Sequence, residues 1–146
     1  MMFIGLMRVP ASLIPMDDAL KSKVMRALER SWSTKTIHFF APDAAPSYGQ
    51  CAQTAIVIWE TFGGDILKTR GWPKEDGSIG PHYYNRINST RYDFTAEQFS
   101  MPDYSHDVKY DDALSSVAEA ETEAEPRQVD ELRRAFRDAF NEENAV

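Results

Sequence analysis

The sequence predicts an α+β domain in which a central buried helix packs on a small antiparallel sheet. Two observations carry that expectation. Residues 50–62 are apolar around most of a helical circumference: Ala52, Ala55, Ile56, Trp59 and Phe62 form one stripe, and Val57 and Ile58 widen it. Such a helix is enclosed rather than half-exposed. Residues 82–87 and 91–95 are two short runs rich in Tyr, Ile, Phe and Thr, separated by the turn residues Asn88-Ser89-Thr90. That is the pattern of an antiparallel hairpin.

The other elements follow in chain order. Asp17-Asp18 precedes a run with Leu20, Val24, Ala27 and Leu28 at helical spacing, so a helix covers 19–32, its first turn acidic as the dipole favours. Residues 33–47 contain Pro42 and Pro46 and read as a loop, with a short extended piece at 37–40. Gly63-Gly64 stops the central helix, because glycine accepts the left-handed conformation at a helix end. A short strand starts at Ile66-Leu67, and residues 70–81, with three Gly and a Pro before Pro81, read as a loop. Thr95 and Gln98 match a capping box. Pro126 opens a last helix with Val129, Leu132, Phe136, Ala139 and Phe140 on one stripe.

A chain of 146 residues is one domain's worth, and 42% hydrophobic content is enough for a core. The formal charge of −7 is unevenly placed. Residues 1–102 hold 11 Lys and Arg against 10 Asp and Glu, whereas residues 103–146 hold 5 against 13. The expected organisation is a folded body over 1–104, an acidic mobile linker over 105–125 and an amphipathic helix over 126–146. No basic surface is expected, which argues against nucleic acid as a partner. One cysteine precludes an internal disulfide and suits a reducing compartment. No apolar run reaches the ~18–20 residues of a membrane span. Arg8 follows the short N-terminal apolar stretch instead of preceding it, unlike a signal peptide. The expectation is a cytoplasmic protein with no membrane association. The last helix must bury its stripe, by default on its own body and otherwise against a partner or a second copy.

Three residues bear chemistry. Cys51 stands where a Pro- and Gly-containing loop meets the apolar helix, so its thiol feels the positive helix end, which favours thiolate. The N–H groups there, that of Cys51 among them, suit a developing oxyanion. The alternative is a small, buried and inert cysteine. His82 begins a strand, where it orients a reaction or simply satisfies a carbonyl. Asp93 lies between Tyr92 and Phe94, and a carboxylate in such a run needs a partner. With a hairpin loop of two or four residues, side chains 82, 84 and 86 share a face with 91, 93 and 95; in the two-residue case Tyr84 faces Asp93 and His82 lies on the diagonal, ~7–8 Å away between backbones and within reach of a hydrogen bond. A three-residue loop breaks that register. Tyr83, Ile87, Tyr92 and Phe94 then form an apolar face for a helix. Nucleophile, base and orienting carboxylate together have the composition of a catalytic triad. Tyr48, Gln50, Gln53, Tyr84 and Asn85 are further candidates to line a cleft, with an oxyanion role open to Gln50. Trp32, Trp59 and Trp72 read as anchors. His38 and His106 lack metal-ligand spacing, no zinc pattern or nucleotide loop is present, and no cofactor is expected.

Gly49-Gln50-Cys51-Ala52-Gln53-Thr54-Ala55, Phe62-Gly63-Gly64-Asp65-Ile66-Leu67, His82-Tyr83-Tyr84-Asn85-Arg86-Ile87 and Asp93-Phe94-Thr95-Ala96-Glu97-Gln98-Phe99 resemble successive blocks of the YunG-like bacterial family, with Ser31-Trp32-Ser33 similar to its N-terminal block. The resemblance covers 28–99. More broadly, a Cys at a helix start, a His beside an aromatic residue on a strand and an Asp near a Thr on the next strand resemble the transglutaminase-like core of the papain-like group. That likeness implies a papain-like fold with Cys51 as nucleophile, His82 as base and Asp93 as orienter. The chain departs from the pattern in its short interval from Cys51 to His82, and in Tyr83 or Tyr84 standing where Trp is frequent. The implied activity is a cysteine-dependent hydrolase or acyl transferase acting on an amide, peptide or protein substrate. The alternative is a non-catalytic binding or regulatory protein on the same fold.

Overall fold

The Asp17 side chain accepts a hydrogen bond from the Leu20 N–H at 2.8 Å and opens helix α1, Asp18–Ser31. The computed structural model to which this helix belongs describes residues 16–37, 49–73, 79–95 and 109–145. Tyr48, His38, His106, Gln98 and the extended piece at 38–40 lie outside the described residues, as does the side chain of Trp72.

Helix α2, Cys51–Phe62, is the central element its composition calls for, with every residue from 52 to 58 buried. Gln53 spends its amide on the carbonyls of Thr36 and Gly49, the latter at 3.0 Å, and so ties down the approach to Cys51. Trp32 donates its indole N–H to Thr54 Oγ1 at 2.9 Å, joining the end of α1 to α2. Gly63 ends the helix at φ +78°, and its N–H bonds the Trp59 carbonyl. Gly64 follows at φ +80°, so close to the next strand that a Cβ there would lie 2.1 Å from the Arg86 carbonyl oxygen.

Strands β1, Asp65–Pro73, and β2, Ile79–Ile87, pair antiparallel from Asp65 opposite Arg86 to Thr69 opposite His82, then after an irregularity from Trp72 opposite Gly80. Both strands extend into the segment 70–81 that the glycines and proline mark as a loop. The ladder resumes past the irregularity, so backbone pairing overrides local turn propensity there. Strand β3, Thr90–Tyr92, pairs with β2 through Asn85 opposite Tyr92 and Ile87 opposite Thr90. The connection is therefore two residues, Asn88 at φ +51° and Ser89 at φ +67°, the left-handed pair that matches strand twist in a tight hairpin. The run 91–95 is a strand only to Tyr92; Asp93 lies just beyond it.

The described part of 105–125, the segment expected to be an acidic mobile linker, carries regular secondary structure. Strand β4, Ala113–Leu114, pairs with Leu67 and Lys68 of β1, giving the sheet order β3-β2-β1-β4. Helix α3, Val117–Ala120, and a 3₁₀ turn, Glu121–Glu123, follow. The polar composition hides this because few of these side chains enter the core. Backbone pairing and side-chain bonds hold the segment instead, including Ser115 N–H to the Ile66 carbonyl at 2.8 Å and an ion pair of Lys68 with Glu119.

Helix α4, Pro126–Asn144, lays Val129, Leu132, Phe136 and Ala139 into one core with Val24 and Leu28 of α1, Ile56 and Phe62 of α2, and Ile66, Tyr83 and Ile87 of the sheet. Each large aliphatic side chain so enclosed contributes roughly 1.5–3 kcal/mol of transfer free energy. Arg133 makes a two-pronged pair with Glu60, at 2.7 and 2.8 Å, and Arg26 pairs with Glu143 at 2.9 Å. The apolar stripe, expected by default to dock on its own body, does so through Val129, Leu132, Phe136 and Ala139. No helix among the described residues is long and apolar enough to cross a membrane.

Candidate functional site

Strand alternation divides β2. Tyr83 and Ile87 enter the core shared with α2, and Asn85 points the same way, its amide donating to the Ala55 carbonyl at 3.0 Å. His82 and Tyr84 belong to the other face, with Leu67 and Thr69 of β1 beside them in register. Their rings stack, with centroids 5.8 Å apart and planes inclined by 24°.

The two-residue hairpin turn sets the register that brings His82 to Asp93. Nε2 of His82 lies 2.6 Å from Oδ2 of Asp93, and both side chains are nearly sealed, at 4% and 7% exposure. The Cys51 thiol, half-buried at the start of α2, hydrogen-bonds the same imidazole. Burial by itself drives the imidazole pKa down; the Asp93 carboxylate, then the Cys51 sulfur, outweigh it and raise His82 to about 9. The balance favours the charged form of the ring. α2 makes no side-chain cap bond at Gln50, so the positive end of its dipole is not offset there by a capping oxygen. The three residues expected to meet are brought together.

The cleft candidates are placed differently. Gln50, Tyr84 and Asn85 are each 1% exposed and form interior structure rather than an exposed wall. Asn85 is a tether between sheet and helix. Tyr84 belongs to a chain of hydrogen bonds: Asp111 N–H donates to Thr69 Oγ1 at 2.7 Å, Thr69 and Tyr84 hydroxyls lie 2.9 Å apart, and the Tyr84 hydroxyl donates to Asp112 Oδ1 at 3.0 Å. Burial raises the Tyr84 phenol to about 12, against the lowering effect of the bonds from the Thr69 hydroxyl and the Asp112 N–H. Gln50 keeps Oε1 without a hydrogen-bond partner. Among the described residues no group of three His, Cys, Asp or Glu is placed to hold a metal ion.

Sequence reasoning misses a fourth member. Tyr110 donates its hydroxyl to Asp93 Oδ2 at 2.8 Å, and Thr95 donates to Oδ1 at 3.2 Å. Burial, then the neighbouring Asp93 charge, pushes the Tyr110 phenol above its ordinary range. Tyr110 sits edge-on to Tyr84, with centroids 4.8 Å apart, and under the Arg91 guanidinium at 4.2 Å. Arg91 in turn grips Asp112 with two bonds, at 2.8 and 2.6 Å. The available signal was a large aromatic residue in an otherwise polar run, which nothing but burial explains.

A family model described as YunG protein matches residues 20–141 of the chain. The match runs well past the blocks recognisable by eye and takes in the segment carrying Tyr110. The chain is also similar to "Uncharacterized protein YunG" of Bacillus subtilis (strain 168), 39% identical over 112 residues that cover 75% of this chain and 84% of that protein. No solved structure matches.

Proposed function

The chain belongs to the YunG family, and from its site we propose that it is a cysteine-dependent hydrolase or acyl transferase acting on an amide or peptide carbonyl. One observation carries this reading: the continuous line of contacts from the Cys51 thiol through the His82 ring to the Asp93 carboxylate. We read the surrounding fold as a papain-like or transglutaminase-like core. Its support is a nucleophile at the start of a buried helix, a base on a strand and an orienting carboxylate just past the next strand.

In this reaction the Cys51 thiolate attacks the carbonyl carbon, and the C=O electron pair moves to oxygen. The positive end of α2 favours both the thiolate and that oxyanion. The His82 imidazolium gives its proton to the leaving nitrogen as the C–N bond breaks, leaving a thioester on Cys51. Water, or an acceptor amine or alcohol, then attacks the thioester while neutral His82 takes its proton, and the C–S bond breaks to return the Cys51 thiolate beside the imidazolium. Asp93 holds the ring so that one nitrogen faces sulfur throughout. The second reading, a binding or regulatory protein that retains these contacts without turnover, draws on the 4% exposure of His82.

Acylation separates the two. Incubation with p-nitrophenyl acetate and with a library of peptide and primary amides, followed by intact mass, is expected to show one acyl group on Cys51. Its formation slows about 100-fold or more in His82→Ala, the scale of a lost general acid–base. Acylation no faster than that of a free thiol, with or without His82, supports the binding reading instead.

A further inference from the structure

We propose that Tyr110 is a positioning residue of this site, its hydroxyl fixing the Asp93 carboxylate in the orientation that meets His82. The inference rests on the triad reading above and adds the residue that constrains its carboxylate. The argument is geometric. Asp93 lies past the end of β3, outside the strand ladder that fixes its neighbours' backbone. Tyr110 donates to Oδ2, the same oxygen that contacts His82 Nε2, while Thr95 donates to Oδ1. Two donors on different oxygens define the carboxylate plane and turn one oxygen toward the imidazole.

The donor is itself held on several sides. The Tyr84 ring packs edge-to-face against Tyr110, the Arg91 guanidinium covers its face, and Asp112 fixes Arg91. Backbone bonds of the two residues that follow Tyr110 secure the segment: Asp111 N–H to Thr69 Oγ1 at 2.7 Å, and Asp112 N–H to the Tyr84 hydroxyl at 2.8 Å. Asp112 adopts φ +52°, a conformation that Asp tolerates better than most residues and that these bonds maintain. The ionisable groups facing the Tyr110–Asp93 pair are His82 and Tyr84 from β2 and Arg91 from β3, with Asp112 beside Arg91 and Cys51 of α2 beyond the His82 ring.

Tyr110→Phe removes the hydroxyl and keeps the ring, so the packing on Tyr84 and Arg91 survives. The measurement is the rate of Cys51 alkylation by iodoacetamide against pH in the full chain, in wild type, Tyr110→Phe and His82→Ala. If Tyr110 positions Asp93, the acid limb of the Tyr110→Phe profile moves to higher pH by about half a unit or more, a roughly threefold or greater loss of rate at pH ~6. Its thermal midpoint stays close to wild type. A Tyr110→Phe profile superimposed on wild type, with His82→Ala displaced, overturns the positioning role and leaves the triad reading standing. If His82→Ala is itself unchanged, the triad reading fails and this inference with it. Should Tyr110→Phe be poorly folded, Tyr110→His supplies a donor of different reach, and recovery of the wild-type limb in that variant supports the role while its absence counts against it.

Discussion

Asn85 on β2 donates its side-chain amide to the carbonyl oxygen of Ala55, at 3.0 Å, in the interior between sheet and helix. This bond joins the strand that carries His82 to the helix that carries Cys51, one residue type away from the apolar contacts that surround it. It makes the relative height of thiol and imidazole a property of the core rather than of a loop.

Replacing Asn85 by Ala therefore removes a buried hydrogen bond and leaves a small void. The expected cost is about 1–3 kcal/mol in urea denaturation, with Cys51 losing part of its reactivity toward alkylating reagents. A variant as stable and as reactive as wild type would show that the tether is incidental.

The pH dependence of stability has a definite sign. Asp93, against the opposing effect of burial, holds His82 protonated up to about 9, whereas the unfolded imidazole titrates near 6.5. The folded state thus binds the extra proton, and its stabilising contribution is complete below pH ~6.5 and is lost as pH rises through ~9. The loss is on the order of 3 kcal/mol. Denaturation midpoints measured across that window should fall in wild type and fall much less in Asp93→Asn, which lacks the charge that raises the ring. Equal slopes in the two proteins would contradict the assignment.

Gly64 cannot accept a side chain without backbone movement. Its φ is +80°, and a Cβ would stand 2.1 Å from the Arg86 carbonyl oxygen. Gly64→Ala is expected to destabilise by more than about 1 kcal/mol, the scale of a side chain forced into a left-handed position against backbone. Thermal melting checks it, and a midpoint unchanged within a degree would refute the close approach.

Leu132 is fully buried among α1, α2 and α4. Leu132→Ala is expected to cost about 2–5 kcal/mol without altering the molecular mass seen by light scattering. A change in mass at unaltered monomer stability would instead place α4 at an interface between copies.

The sequence makes the principal helices legible because their apolar stripes and stop signals agree. The central helix is expected at 50–62 and found at Cys51–Phe62, and its burial follows from composition alone. The hairpin is legible too, but its register is not: the turn at Asn88-Ser89-Thr90 allows loops of two, three or four residues, and the left-handed Asn88 and Ser89 make it two residues long. That single choice decides whether His82 meets Asp93. What the sequence conceals is the segment around Tyr110. Its strand is two residues long and its helix four, too short for any periodicity to register. It is held by bonds from Thr69, Tyr84 and Arg91 that are distant in the chain. Gln50 and Asn85 mislead for a related reason. A polar residue in an apolar neighbourhood suggests a cleft, yet Asn85 serves the fold with its polarity spent on a helix carbonyl.

The central claim is that the Cys51 sulfur is activated by the His82 imidazole. The direct measurement is the second-order rate of Cys51 alkylation across pH ~4–10 in the wild-type protein and in His82→Ala. Activation predicts fast labelling already well below pH ~7 in wild type, and in the variant a retreat to the profile of an ordinary thiol near ~8.5. Two superimposable curves, both rising only near the ordinary thiol value, would contradict it.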